Sequence, residues 1–255
     1  MHLAFCQFDI VWSDPTANCA RVRQLLEERP PTPGALVILP EMFATGFCLD
    51  LTRTIEADPS PTRDFLAATA CRHGIHLLAG VVRAAGNGLG RNEAVLFSPS
   101  GQEMASFAKL HPFTPGGESQ VHQAGDEVAT FRWEDTTVAA FLCYDLRFPE
   151  VFRRAVRMGA ELFVVPANWP EPRIEHWICL LRARAIENQA FVVGVNRVGR
   201  DPSLNYPGRS LVVDPWGNVL VDAGNEEGVF EWDLDLAALR EWRKRFPALL
   251  DMRFA

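Results

Sequence analysis

The sequence predicts an α/β fold in which two β-sheets pack face to face with helices on the outside. Three observations carry this. Short apolar runs alternate with helix-like segments along the whole chain, and the two halves repeat a similar order of elements. Hydrophobic residues make up 48% of the 255 residues, enough to bury a large core, and no break in composition divides them. One domain spanning residues 1–255 is therefore expected.

Met1 to Ile10 carries Asp9, no basic leader and apolar residues broken at period two. It reads as a first strand, Leu3 to Phe8, and not as a signal peptide. Asp14 in capping position starts a helix from Pro15 to Glu28. Pro30, Pro31, Pro33 and Gly34 then turn the chain into a fully apolar strand, Ala35 to Leu39. Thr62 to His73 is helical and ends at Gly74; Ile75 to Val82 is a strand. Glu93 to Phe97 and Gln102 to Ala108 form a hairpin around a Ser-Pro-Ser-Gly turn.

The second half opens with strands Val128 to Trp133 and Thr137 to Leu142. A helix from Pro149 to Met158 has its proline suitably placed in the first turn. After the strand Leu162 to Val165, Trp177, Leu181 and Ala185 recur at four-residue spacing, which predicts an amphipathic helix from Trp177 to Gln189. Phe191 to Val195, Ser210 to Val213, Val219 to Asp222 and Gly228 to Asp233 follow as strands, and Leu236 to Arg245 as a last helix.

Composition narrows the function. A net charge of −7 and a pI near 5.4 argue against nucleic acid or an anionic membrane as partner, since both call for a concentrated basic surface. The densest basic run, Arg240 to Arg245, contains Glu241 and Trp242 and reads as a solvated helix face. No apolar stretch approaches the ~20 residues of a membrane span. A cytoplasmic location is expected. Cys6, Cys19, Cys48, Cys71, Cys143 and Cys179 are scattered without a Cys-x-x-Cys pair, so they read as free thiols. The run GNGLG, Gly86 to Gly90, lacks the helix that a phosphate loop requires and reads as a hairpin turn. His73 with His76, and Glu118 with His122, lack a third ligand. No metal, nucleotide or other cofactor is expected.

The segment FLCYDLRFPE, Phe141 to Glu150, is the sharpest chemical feature. Its thiol, Cys143, ends an apolar strand and precedes a polar turn and a proline-started helix. Such turns expose a nucleophile while backbone N–H groups point at a developing oxyanion. A buried strand cysteine would look the same in isolation. With a reference pKa of about 8.5, a thiol needs a base or a cation beside it. The six histidines offer no Cys-His protease context. The alternative is a carboxylate paired with a lysine. Glu41 in LPEMF and Lys109 in KLHPF each follow a strand, as Cys143 does, and loops at strand ends converge on one crevice in α/β sheets.

In this order the trio resembles the nitrilase-like carbon-nitrogen hydrolase superfamily, whose hallmark is a Glu-Lys-Cys triad. The resemblance spans nearly the whole chain: AFCQFDI, LPEMF, RNEAVLF, KLHPF, CYDLRFPE, ANWP, ARAIENQAFVVGVNRVG from Ala183 to Gly199, and VVDPWGNVL. KLHPF with ANWP and IENQ is most similar to the omega-amidase branch. The resemblance implies a four-layer αββα sandwich of the nitrilase type that dimerises through helices Pro149 to Met158 and Trp177 to Gln189. It also implies catalysis through a cysteine thioester, with Glu41 as general base and then acid. Lys109 would lower the thiol pKa and, with the Tyr144 backbone N–H, hold the oxyanion. A second glutamate is implied between the lysine and cysteine segments; Glu118 in PGGES is the candidate, ahead of Glu127 and Glu134.

The implied substrate is a small carboxylate-bearing amide such as 2-oxoglutaramate or 2-oxosuccinamate. Arg173, in NWPEPR, is the candidate carboxylate anchor. Arg147 is its rival, although its place between Asp145 and Pro149 suggests a structural ion pair. Phe43, Trp169 and Trp177 are candidates for pocket walls, with core packing open for each. Two other functions compete: an amidase of the same family acting on deaminated glutathione, and a catalytically idle scaffold that keeps the fold.

Overall fold

The computed structural model describes residues 1–253. Its first half runs β1 (His2–Gln7), α1 (Pro15–Glu28), β2 (Leu36–Ile38), α2 (Leu51–Thr54), α3 (Pro61–His73), β3 (His76–Ala84), β4 (Gly90–Phe97) and β5 (Glu103–Ala108). The second runs β6 (Thr130–Trp133), β7 (Thr136–Ala140), α4 (Pro149–Arg157), β8 (Leu162–Pro166), α5 (Ile174–Asn188), β9 (Phe191–Val195), β10 (Val198–Arg200), β11 (Asn205–Pro207), β12 (Leu211–Val213), β13 (Val219–Asp222), β14 (Gly228–Asp233) and α6 (Leu236–Arg245).

Two six-stranded sheets result, ordered β14-β1-β2-β3-β4-β5 and β13-β12-β9-β8-β7-β6. Each has three parallel strands joined by helical crossovers, β1-β2-β3 in one and β7-β8-β9 in the other, and this is the repeated grammar seen in the sequence. Alternation at period two sends neighbouring residues to opposite sheet faces. Leu3, Phe5, Leu162 and Val164 enter a core shared by both sheets. Their neighbours Ala4 and Cys6 meet Val22 and Leu26 of α1 and Leu66 of α3, while Phe163 and Val165 meet Phe152 of α4 and Leu181 of α5. Helix, sheet, sheet and helix thus form the expected four-layer αββα sandwich.

Local signals set most boundaries. Asp14 accepts from the Ala17 N–H at 2.9 Å to cap α1, and Ser60 caps α3, which stops at Gly74 in the left-handed region. The GNGLG run is the turn between β3 and β4, where the Ala85 N–H donates to Leu89. Three differences from expectation have physical causes. β7 stops at Ala140 because the Leu142 N–H bonds the Asp145 carboxylate and not a neighbouring strand. α5 begins three residues early, continuing a 3-10 turn over Glu171–Arg173. The small β10-β11 hairpin stands outside both sheets, too short to leave a hydrophobic pattern.

Candidate active site

The parallel strands of both sheets deliver their C-terminal ends to one crevice. Glu41 lies there in a tight turn after β2. That turn rests on β3: the Phe43 N–H donates to Gly80 at 3.2 Å and the Gly80 N–H to Pro40 at 3.3 Å. A Cβ on Gly80 would stand 2.5 Å from Glu41 Cα and 2.6 Å from the Met42 nitrogen, so only glycine permits this approach. Met42 is held at φ +46°, a conformation costing a non-glycine residue on the order of 1–3 kcal/mol.

Lys109, just past β5, places its ammonium between two carboxylates, 2.8 Å from Glu41 Oε1 and 2.8 Å from Glu118 Oε2. All three side chains are buried. Asn92 bridges the same pair, its Nδ2 donating to Glu41 Oε1 at 2.8 Å and to Glu118 Oε1 at 2.9 Å. Burial works against the lysine charge, but Glu41, Glu118 and the Cys143 sulfur outweigh it and hold the Lys109 pKa above its ordinary value. Burial likewise opposes the charge on Glu118. Lys109, with bonds from His122 and the Phe113 N–H, overcomes this and holds that carboxyl at about 2.

The two carboxylates differ in how closely their acceptor positions are held. An ionised carboxylate offers about four acceptor positions. Glu118 fills them with Lys109, Asn92, the Phe113 N–H at 2.6 Å and His122 Nδ1 at 3.2 Å. On Glu41, Oε2 takes the Asn168 N–H at 2.9 Å and only a long contact from Asn168 Nδ2 at 3.4 Å. Each carboxylate thus carries four contacts, and the longest of the eight, from Asn168 Nδ2 to Glu41, is the one most readily given up to a proton.

Cys143 opens a 3-10 turn, Cys143–Arg147, at φ +45°. Its sulfur approaches the Asn168 carbonyl at 3.8 Å, so Asn168 touches both thiol and carboxylate. The Tyr144 N–H falls in the first turn of this short helix, where backbone donors lack an intrahelical acceptor. Buried Asp145 pins the turn to the neighbouring sheet. It accepts from the N–H groups of Leu142 at 3.0 Å, His111 at 2.8 Å and Leu110 at 3.4 Å, and from His111 Nδ1 at 2.8 Å. The lysine segment and the cysteine segment are thereby tied together. Burial and then Glu41 push the Cys143 thiol well above its ordinary value, and Lys109 only partly offsets them. Lys109 thus acts on the thiol in the lowering direction expected of it, but burial and Glu41 outweigh it, so the net shift is upward.

The carbon-nitrogen hydrolase family model matches residues 2–244. The chain belongs to that family. It is 36% identical to a 2-oxoglutaramate amidase of Bacillus subtilis (strain 168) over 97% of this chain and 95% of the relative. It is 35% identical to the omega-amidase YafV of Escherichia coli (strain K12), over 98% of this chain and 96% of that one. Among solved structures, XC1258 from Xanthomonas campestris, a CN-hydrolase superfamily protein carrying an arsenic adduct in its active site, superposes with a TM-score of 0.93. That match has 34% identity and covers 100% of this chain and 98% of the other.

Around the thiol of this hydrolase lies a narrow pocket of about 50 Å³, walled by Phe47, Phe113, Tyr144, Trp169, Leu204 and Tyr206. Arg147 and Arg173 both line it. The Arg173 guanidinium lies 5.5 Å from the Phe113 ring and that of Arg147 lies 4.8 Å from the Trp169 ring; neither has a carboxylate partner among the described residues. The structural ion pair expected of Arg147 is thus corrected, because Asp145 is occupied by backbone amides and His111. Phe43 is corrected as well: fully buried, it packs with Phe65 in the outer core between sheet and helices. Phe47 takes the wall position, 5.3 Å from Lys109 Nζ. Trp177 belongs to the core, with its Nε1 donating to Arg209. Glu127 and Glu134 are exposed, whereas Glu118 is buried.

Sequence reasoning missed Asn92, Asp145 and Asn168 as individual residues. Each sits inside a motif quoted above, and two are amides or acids at the end of an apolar strand, a signal that was available. Phe47, in a loop, and Tyr206, on the short strand β11, gave none, since an isolated aromatic residue reads as core.

Proposed function

We propose that the protein is a thiol amidase hydrolysing a small carboxylate-bearing amide, 2-oxoglutaramate or 2-oxosuccinamate, to the acid and ammonia. One observation carries this reading: Lys109 is shared at 2.8 Å by two buried carboxylates, beside a thiol on a left-handed turn. Glu41 takes the Cys143 proton as sulfur attacks the amide carbon, because burial and Glu41 disfavour a free thiolate at that position. Lys109 Nζ and the Tyr144 N–H receive the negative charge that forms on the carbonyl oxygen. The C–N bond breaks, Glu41 returns its proton to the departing nitrogen, and ammonia leaves a thioester on Cys143. Water deprotonated by Glu41 attacks the thioester carbon, the C–S bond breaks, and the thiol regains its proton. Glu118 holds Lys109 in place throughout.

The substrate assignment rests on the narrow pocket and its two guanidinium groups, which have no carboxylate partner among the described residues. Arg173 is the proposed anchor, a planar fork suited to a carboxylate, and Trp169 a pocket wall. The whole chain, residues 1–255, is proposed to act as one hydrolase domain, cytoplasmic and without nucleic-acid or membrane partners. Among the described residues no helix is long and apolar enough to cross a membrane. A homodimer pairing through α4 and α5 is part of the proposal, to be checked by light scattering on a sizing column.

The deciding experiment measures ammonia release from 2-oxoglutaramate, 2-oxosuccinamate and deaminated glutathione side by side. Turnover of either 2-oxo amide is expected. Turnover of deaminated glutathione alone would overturn the substrate, and silence on all three would favour an idle scaffold.

A further inference from the structure

His122 is buried against the charged cluster, yet the steps above do not use it. Its Nδ1 lies 3.2 Å from Glu118 Oε1, while its Nε2 is buried with no hydrogen-bond partner among the described residues. Since the carboxylate accepts, Nδ1 is the nitrogen that carries hydrogen. An imidazole kept at the cost of one unmet ring nitrogen needs a reason, because an apolar ring would fill the space without that penalty.

The backbone around it is built to hold the ring. The Gly90 N–H donates to Val121 at 2.9 Å and the Gln123 N–H to Gly90 at 2.8 Å, clasping residue 122 against the start of β4. A Cβ on Gly90 would stand 2.7 Å from His122 Cδ2 and 2.9 Å from Leu51 Cδ2, so the last glycine of GNGLG makes the room for the ring. Two residues along the same strand, Asn92 bridges Glu41 and Glu118. One short stretch of β4 therefore supports Glu118 twice, by an amide and through an imidazole.

We infer that His122 is a positioning residue: its Nδ1–H fills the last acceptor site of Glu118 and so keeps that carboxylate committed to Lys109. Groups facing the pair are Glu118 and Lys109, with Glu41 and Cys143 beyond them. Without the bond, Glu118 accepts a proton more readily, Lys109 loses one of its two anchors, and the base and oxyanion site shift together. The inference rests on the amidase reading above for its catalytic consequence, but not for its structural core.

Three variants test it. His122→Asn keeps a donor near the Nδ1 position, His122→Gln moves the donor outward, and His122→Phe removes it while filling the space. Expected for His122→Phe is a fall in kcat of about tenfold or more with KM little changed, the loss of one hydrogen bond to a charged group. The acid limb of kcat/KM should move up by about one pH unit. His122→Asn should stay within about threefold of the parent with its acid limb unmoved. Should His122→Phe fail to fold by circular dichroism, the comparison of His122→Asn with His122→Gln serves instead, the latter expected to be slower. Equal rates and profiles for donor and non-donor variants would overturn the proposal, as would equal damage in Asn and Gln. Alkylation of Cys143 by iodoacetamide, followed by mass, reads the disturbed Lys109 position without any substrate, its rate changing in His122→Phe and staying near the parent in His122→Asn. It therefore separates failure of this inference from failure of the amidase reading.

Discussion

At the scale of single residues, the thiol of Cys143 sits among two carboxylates and one ammonium, so ionising it would add a third negative charge to a buried cluster. The proposed proton transfer to Glu41 during attack would avoid that state. Cys143→Ala should abolish ammonia release, by more than about 10³-fold, since a group acting within a catalytic unit is lost whole. Its melting temperature should change little, because the cluster's ion pairs do not involve the sulfur; a substantial retained rate would point to another nucleophile. Arg173→Ala should raise KM about tenfold or more with kcat nearly unchanged, the signature of lost binding that is uniform along the reaction. Arg147→Ala serves as the comparison. If Arg147→Ala carries the larger KM effect, the anchor is the guanidinium on the cysteine turn.

At the scale of elements, the turns that carry Glu41 and Cys143 are shaped by residues that the proposed chemistry does not use. Gly80→Ala would drive a methyl group into the Glu41 backbone, where contacts of 2.5 and 2.6 Å cannot persist. A displacement of the base of about 1 Å is expected to lower kcat on the order of 10²-fold, while circular dichroism reports an intact fold; unchanged kcat would show that the turn can yield. Elements of this kind mark the boundary of what the sequence discloses. α1, with Asp14 before Pro15, and β13 and β14, with their apolar runs, were readable residue by residue from local signals. Glu41, Lys109 and Cys143 could be brought together only because each follows a strand in a segment resembling one family. Phe43 could not be told from Phe47, because burial in a turn depends on which way the chain leaves the strand. Asp145 looked like a partner for Arg147 next to it in sequence, yet its ligands are backbone amides brought by β5 from the other sheet.

At the scale of the whole molecule, the buried charges set the pH range of stability. Glu118 is held at about 2, below its ordinary carboxyl value, so its contribution is complete above about pH 4.5 and is lost as pH falls through 2. Cys6 and Cys19 are pushed up to about 12, mainly by burial, and Cys143 rises well above its ordinary value. Those thiols ionise in the unfolded chain near pH 9 but not in the folded one, so stability falls as pH rises above about 9. The raised Lys109 acts in the same direction at higher pH, its contribution being whole below its ordinary value. Urea midpoints should form a plateau between about pH 5 and 9 and decline on both sides. A midpoint that keeps rising beyond pH 10 would contradict this account.

Asn168 gives its N–H and its side chain to Glu41 and its carbonyl to Cys143, while Asp145 reaches from the cysteine turn to Leu110 and His111. The bonds to Glu41, Leu110 and His111 cross from one sheet to the other, so Glu41 and Cys143 sit astride a seam and not within a rigid wall. Such a seam works as a strain gauge: slippage of the two sheets, too small to disturb either strand ladder, would part base from nucleophile. Titration with urea should therefore extinguish turnover at a concentration where the far-ultraviolet circular dichroism is still that of the folded chain, and dilution should restore it.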